Sequence, residues 1–520
     1  MLHVTKQVFW LKRAGVSGIL HIRSQQLLSW GVTDQLCRNV SIASLPNDVL
    51  LEIFSSYVHP HHRHSFNFAD DATTLDAWHT LVHVCQRWRY VMFASPRHLN
   101  LRLCCTNKTP VRKRLRIWPE LPLVVSCHSS SNAPLPGVSN IDAALKYIDR
   151  VCEINLFGVT IPLLKRFGAM DVSFPALTCL RLLYKSDDGN FSSLLPLPEL
   201  FLGGIAPCLR LLHLDGISFP ASQKLLLSAT NLITLRLECI PSSGNASPEA
   251  MAICLSTLTK LEELALGFRL NYRSDRSQLS QHPPPVTPTV LPALTSLWFR
   301  GSLAYLEILA SHIRHPSLEN VDITLFRQHT LASSRFREFI GRIETLELLQ
   351  RADIAFQDDS VDITLSRPEG PADCRTLKFG ILWGKSDHQP MYLSQFCGFS
   401  LPPLPTLEHL YIHSSFSEGY YIKTNYSLEL LFPFASVKDL HVSENAELRV
   451  AYALDLLSQE SKAEVLPSLK NIILLESKPS GTIRMITQFI FTRSLSGHPI
   501  SIHYRQGGNW VAKLLREVDN

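Results

Sequence analysis

His59, His61, His62 and His64 crowd one short polar stretch, and clustered imidazoles are what a transition metal takes. A metal also needs its ligands held on rigid elements. Here no cysteine lies beside the histidines and no i, i+4 pair sits on a helix, so the stretch reads as a solvated loop and no metal ligand is assigned. The segment G380-I-L-W-G-K-S386 approaches a phosphate-binding loop. That motif needs four residues between its glycines, and here bulky apolar residues fill a shorter gap. Neither G-x-S-x-G nor H-E-x-x-H occurs, and no pair of acids has a spacing suited to acid–base work. The 12 cysteines form no C-x-x-C pair; Cys152, Cys179 and Cys239 fall among leucines and read as small buried apolar groups in a reducing compartment. No catalytic residue, metal or cofactor is therefore expected, and the chain is read as a binding protein rather than an enzyme.

Binding shifts the weight to the elements that present a surface. The 520 residues are 45% hydrophobic and 18% charged, enough to bury a large core, and a net charge of +5 is too small for a global nucleic-acid footprint. From about residue 150 one pattern recurs: apolar, two residues, apolar, one residue, apolar. It reads V151-C-E-I-N-L156, L177-T-C-L-R-L182, L209-R-L-L-H-L214, L232-I-T-L-R-L237, L261-E-E-L-A-L266 and L294-T-S-L-W-F299. It continues as L318-E-N-V-D-I323, I343-E-T-L-E-L348, C374-R-T-L-K-F379, L407-E-H-L-Y-I412, V437-K-D-L-H-V442 and L469-K-N-I-I-L474. Each unit ends in the alternation of a strand with one buried face. Segments of helical spacing, such as 249–258 and 448–457, lie between units. One strand and one helix cannot bury their apolar faces alone, while stacked copies bury each other's. About twelve strands at ~4.8 Å spacing would make a wall about 55 Å long.

The residue between the last two apolar positions of each unit points away from the core. These are Asn155, Arg181, His213, Arg236, Ala265, Trp298, Asp322, Glu347, Lys378, Tyr411, His441 and Ile473. Tryptophan, tyrosine and arginine together are the composition of protein-binding hot spots. The sign changes from Arg181 and Arg236 to Asp322 and Glu347 and back at Lys378, which argues for a protein target and against nucleic acid, whose phosphates favour one sign throughout. Of these, Arg181, His213, Arg236, Trp298, Asp322, Glu347, Lys378, Tyr411 and His441 are the candidate target contacts.

The pattern resembles the leucine-rich repeat, L-x-x-L-x-L-x-x-N/C-x-L, over roughly residues 150–480. The first six positions match and the rest do not; Asn445 alone falls at the family's asparagine. The resemblance implies an α/β horseshoe of uneven curvature.

Ahead of the repeats, Leu45, Val49, Leu50, Ile53, Phe54 and Tyr57 share one helical face behind a capping Ser44 and Pro46. A second helix is expected from about Thr74 to Phe93, ending at S95-P96. L45-P-N-D-V-L-L-E-I-F54 followed by V84-C-Q-R-W88 resembles the F-box, with Asp48 in place of the usual glutamate and a polar insertion near 59–73. The resemblance implies binding of the adaptor Skp1, and through it a cullin, in a Skp1–cullin–F-box ubiquitin ligase. It implies adaptor contact by Leu45, Pro46, Leu50, Ile53 and Phe54, with Val84, Cys85 and Trp88 completing the trihelical packing or its edge. The protein bound for ubiquitylation is unknown.

The expected organisation is α/β: a poorly ordered extension over 1–40, a small helical F-box over 41–105, a basic and Ser/Pro-rich linker over 106–149, and an irregular leucine-rich-repeat solenoid of about twelve strand–helix units over 150–520. The run V111-R-K-R-L-R116 fits a solvated linker, a nuclear-localisation signal or an anion-contacting strand. The basic start (Lys6, Lys12, Arg13, Arg23) weakly resembles a mitochondrial presequence, but the expected location is cytoplasmic or nuclear. No apolar run reaches the ~18 residues of a membrane span, so no membrane partner is expected. The alternative reading is a non-enzymatic leucine-rich-repeat scaffold whose front helices only cap the solenoid.

Overall fold

The computed structural model describes residues 42–58, 78–128 and 138–184, and from there the strands, helices and most turns to residue 514. Residues 1–41, 59–77, 129–137, 185–196, 220–223, 242–245, 270–288, 327–332, 368–375, 383–395, 416–430, 455–464, 476–481 and 515–520, with short gaps elsewhere, lie outside the described residues. The histidine stretch, the basic extension, residues 383–386, Asn445 and Glu347 are among the latter. The chain is mixed α/β and divides into two compact units, residues 1–157 and 158–520. Among the described residues no helix is long and apolar enough to cross a membrane, and no cluster of ligating side chains could hold a metal.

The first unit opens with α1 (Asn47–Val58), α2 (Trp78–Val82) and α3 (Gln86–Ala94). Ser44 lies in a separate 3-10 turn, Ile42–Ser44, so α1 begins after it, with the Pro46 carbonyl accepting the Leu50 N–H. The expected single second helix is two. Cys85 takes an extended conformation (φ −158°), and its Sγ accepts the Trp88 N–H, ending one helix and capping the next. Then follow β1 (Leu103–Thr106), α4 (Val111–Ile117), β2 (Leu123–His128), α5 (Val138–Leu145) and β3 (Val151–Val159), with β1, β2 and β3 pairing in parallel. Residues 106–149 are thus not a linker: β2 is buried through Val124 and Val125, and α5 packs on β1 and β2. The basic run is neither strand nor linker but α4, which buries Val111 and sends Arg114 to the Cys104 carbonyl. The first apolar unit, at 151–156, forms β3 and belongs here, so the boundary read at 150 moves to 157.

The second unit holds a long, mostly parallel sheet of β4 (Cys179–Tyr184), β5 (Leu211–Asp215), β6 (Thr234–Ile240), β7 (Glu263–Phe268), β9 (Ser296–Gly301), β11 (Asn320–Phe326), β12 (Arg351–Phe356), β13 (Ser360–Ser366), β14 (Leu377–Leu382), β15 (His409–Ser414), β16 (Asp439–Val442), β17 (Asn471–Leu474), β18 (Ser501–Gln506) and β19 (Asn509–Leu514). A separate parallel pair joins β8 (Thr289–Val290) to β10 (Ile313–Arg314). Most strands, among them β4 to β7, β9, β11 and β15 to β17, begin two residues inside their apolar pattern. The leading leucine instead closes a turn: the N–H groups of Leu209, Leu232, Leu261 and Leu469 each reach the carbonyl three residues earlier, and all four side chains are buried. One carbonyl per unit then accepts two N–H groups from the next, as Arg210 does from Ile233 and Thr234, and Lys438 does from Lys470 and Asn471. This double acceptance repeats the stacking step along the sheet.

Behind the sheet lie α6 (Ile161–Gly168), α7 (Lys224–Ser228), α8 (Pro248–Leu255), α9 (Leu303–His312), α10 (Ser334–Gly341) and α11 (Thr482–Leu495). Helices α7 to α10 stack side by side in chain order. Ser247, Ser302 and Ser333 cap α8, α9 and α10, each hydroxyl accepting the N–H three residues on. Leu180, Leu212, Leu235 and Leu264 are fully buried on successive strands, and each such side chain contributes about 2 kcal/mol of burial.

One segment departs from the repeat. The spatial order runs β11, β14, β13, β12, β15, with β13 antiparallel to both its neighbours. The expected strand I343-E-T-L-E-L348 is not one: Leu346 and Leu348 lie in a 3-10 turn, and the strand starts at Arg351. The true unit is L349-Q-R-A-D-I354, whose leading leucine makes the same turn to Leu346.

Candidate functional site

Alternation sends one set of strand side chains into the helix layer and the other to the open face. The register aligns that open set. Arg181 stands opposite His213, and the row passes through Arg236, Ala265, Trp298, Asp322 and Lys378. It then crosses Thr364 and Asp353 to Tyr411, His441, Ile473 and His503. Apart from Glu347, which lies outside the described residues, the expected candidates share this row, with two corrections. Thr364 and Asp353 stand in the row between Lys378 and Tyr411. His213 is buried and does not face solvent. Asn155 pairs beside Ser126 in the first unit. Asp353 was hidden because Ala352 occupies a position where the pattern demanded a large apolar residue.

At the β4–β7 end the charges neutralise one another. Arg236 is ion-paired to Glu263 and lies 3.8 Å from Glu238. His213 comes within 3.5 Å of Glu238, yet burial, with Arg236 and Arg181 beside it, pushes its imidazole down to about 4. The contact is thus between a neutral ring and a carboxylate, and burial in turn raises Glu238. At the other end planar groups stack across strands. The Arg351 guanidinium lies 3.9 Å from the Tyr411 ring, and Tyr411 stacks on His441 at 4.0 Å and 8°. Asp353 holds Arg351 through two hydrogen bonds of 2.8 and 2.7 Å, which raise the guanidinium further. His409 reaches Asp439 at 2.9 Å, and Asn471 donates to the same carboxylate. Burial pushes His441 down to about 4. Because the ring faces are taken up in the stack, this end offers the polar edges of the rings for hydrogen bonding.

These two histidines make the fold acid-sensitive. Unfolded, they titrate near 6.5; folded, near 4, so the unfolded chain holds more protons between those values. Their contribution is fully present above about pH 6.5 and is lost as pH falls through 4. For His213 the loss is about 2–3 kcal/mol. Urea titrations at pH 7 and pH 4 should show a smaller drop for His213→Gln than for the parent chain; equal drops would exclude this origin.

The front helices form a second candidate site. Leu50 and Phe54 are fully buried, Trp88 is nearly so, and Phe54 meets Trp88 at 4.8 Å between ring centroids. Leu50 and Phe54, two of the expected adaptor contacts, therefore lie in the core of the front helices, because an amphipathic helix of this length directs its central residues inward, and Trp88 packs against them there. Leu45 and Ile53 are half-buried, while Pro46, Val84 and Cys85 are exposed. Tyr90, not anticipated, is 70% exposed on α3. Arg87 was also missed: it donates to Asn47 Oδ1 at 2.8 Å and to the Leu45 carbonyl, fixing the Leu-Pro entrance onto α3. Its signal was the cationic position before the motif's tryptophan. Cys239, expected to be buried, is exposed at φ +49°. Burial of its thiol region and the neighbouring Asp215 push it up to about 11, so it is no ready nucleophile.

No family model matches the chain, and no curated protein matches it.

Proposed function

We propose that the chain is the substrate-recognition subunit of a Skp1–cullin–F-box-type ubiquitin ligase, with no catalytic chemistry of its own. In this reading the three front helices are an F-box, and the parallel ladder with its helix layer is an irregular leucine-rich-repeat solenoid. The observation that carries the reading is the division of labour in the front helices. Leu50, Phe54 and Trp88 already fill their shared core, yet Leu45, Pro46, Ile53, Val84 and Tyr90 remain reachable at the helix entrance and edge. Apolar side chains left outside a completed core fit a partner surface. Arg87 holds that entrance in one conformation, which limits the entropy lost on docking. The target would lie along the row from Arg181 to His441, whose mixed signs and aromatic groups suit a folded protein or peptide.

Capture of a purified Skp1-type adaptor tests the proposal. Leu45→Asp with Val84→Asp places two charges at reachable positions and leaves the core intact. Loss of anchors worth about 2 kcal/mol or more lowers affinity at least about thirtyfold. Equal capture by parent and variant excludes the adaptor role.

A further inference from the structure

The open row of the second unit contains a depression of about 450 Å³. Its floor follows from side-chain size: Ala265 stands between Arg236 and Trp298 in register, and Ser296 and Asn320 continue the gap. Trp298 does not fill it. The indole leans across β7, where a Cβ on Gly267 would lie 2.7 Å from its ring, so the glycine is what lets it lie down. Half-buried in that pose, Trp298 still lines the depression.

The charged lining is Arg236, Lys378, Glu238, Glu263 and Asp322, one formal negative charge in excess. Arg236 is taken up by Glu263 and Glu238. Asp322 differs from the other acids. It is half-buried beside Trp298, and no described residue gives it a hydrogen bond or an ion pair. Lys378 is its neighbour on the far strand but stays beyond ion-pair distance. Burial raises the Asp322 carboxyl, with the Lys378 charge pulling it back and the nearby Asp362 adding to the rise.

An aromatic face beside a carboxylate with no ion pair or hydrogen bond among the described residues is complementary to a long cationic side chain, whose stem packs on the ring and whose head meets the acid. We infer that this depression receives an arginine or lysine side chain of the target protein, laid against Trp298 and paired with Asp322. The inference rests on the row being the target-binding face and names the chemistry read there. Lys378 opposes the incoming cation, so its removal strengthens binding.

The test uses the full chain, without adaptor, on an array of eight-residue peptides that carry arginine, lysine, citrulline or glutamate at a fixed central position in otherwise random sequence. The arginine and lysine arms should exceed the other two at least tenfold. Asp322→Asn should cut that excess below twofold, Trp298→Phe should keep most of it, and Lys378→Gln should enlarge it. Equal signal in all arms, preference for glutamate, or an undiminished excess in Asp322→Asn overturns the inference. Matching thermal melts of parent and Asp322→Asn exclude misfolding as the cause. A chain without cationic preference that still captures the adaptor loses this inference alone. A chain with the preference that fails to capture loses the ligase reading alone.

Discussion

Trp78→Ala destabilises the first unit by about 3–5 kcal/mol, the cost of emptying a large aromatic site in a packed core. Trp78 is 1% exposed, and its ring meets Trp118 at 5.1 Å, Phe93 at 5.9 Å and His79 at 4.0 Å. Its Nε1–H also donates to the Arg102 carbonyl at 2.9 Å, tying α2 to the residue just ahead of β1. Alanine therefore leaves both a cavity and a carbonyl without its donor. Trp78→Phe keeps most of the ring and loses the hydrogen bond, a penalty of about 1–3 kcal/mol. Hydrogen exchange of the amides in α1, α3 and β1 measures both. A loss below 1 kcal/mol for the alanine variant would show that this cluster does not hold the unit together.

Phe336→Ala costs a similar ~3–5 kcal/mol in the second unit, but its effect is local. Phe336 is fully buried on α10 and faces Phe396 at 5.7 Å, Phe379 of β14 at 6.2 Å and Phe339 at 6.3 Å. These rings support the segment where the strand order reverses. In a stacked array each unit is stabilised mainly by its neighbours, so a defect opens the adjacent units first. Exchange protection should fall by two orders of magnitude or more in β11 to β14 while β4 to β6 keep theirs. A uniform loss across every strand would mean that the second unit unfolds as one cooperative block.

The strands were legible because the one-sided burial that stabilises them is also a pattern of residue types. The open row followed from the same alternation, and Arg181, Arg236, Trp298, Asp322, Lys378, Tyr411 and His441 fall into register as read. Where the pattern failed, the cause is specific. I343-E-T-L-E-L348 mimics a unit, while the real strand carries Ala352 and lost to it. β13, V361-D-I-T-L365, alternates well but lacks the leading leucine turn, because it enters from a tight connection after Phe356. β1 and β2 were obscured by the charged helix between them. In the front helices residue type could not separate core from contact: Leu50 and Leu45 are alike in sequence, and only packing makes one fully buried and the other half-buried. Asp322 was readable as exposed and acidic, but its lack of a close partner depends on where Lys378 ends, which no sequence pattern encodes.

The reversed strand order also bears on synthesis. Along most of the sheet a strand is covered by the next one in the chain, as Leu211 is by Thr234. β11 is different: Val321 must wait for Leu377, because the β12–β13 hairpin is made first and lies farther off. While the ribosome is still delivering that stretch, the backbone donors and acceptors along one side of β11 stand bare. An unpaired edge of this kind is where growing chains adhere to one another. The hairpin therefore opens a vulnerable interval while residues 326–377 are being made, and slowing elongation there should lower the soluble yield more than slowing it across β4 to β6.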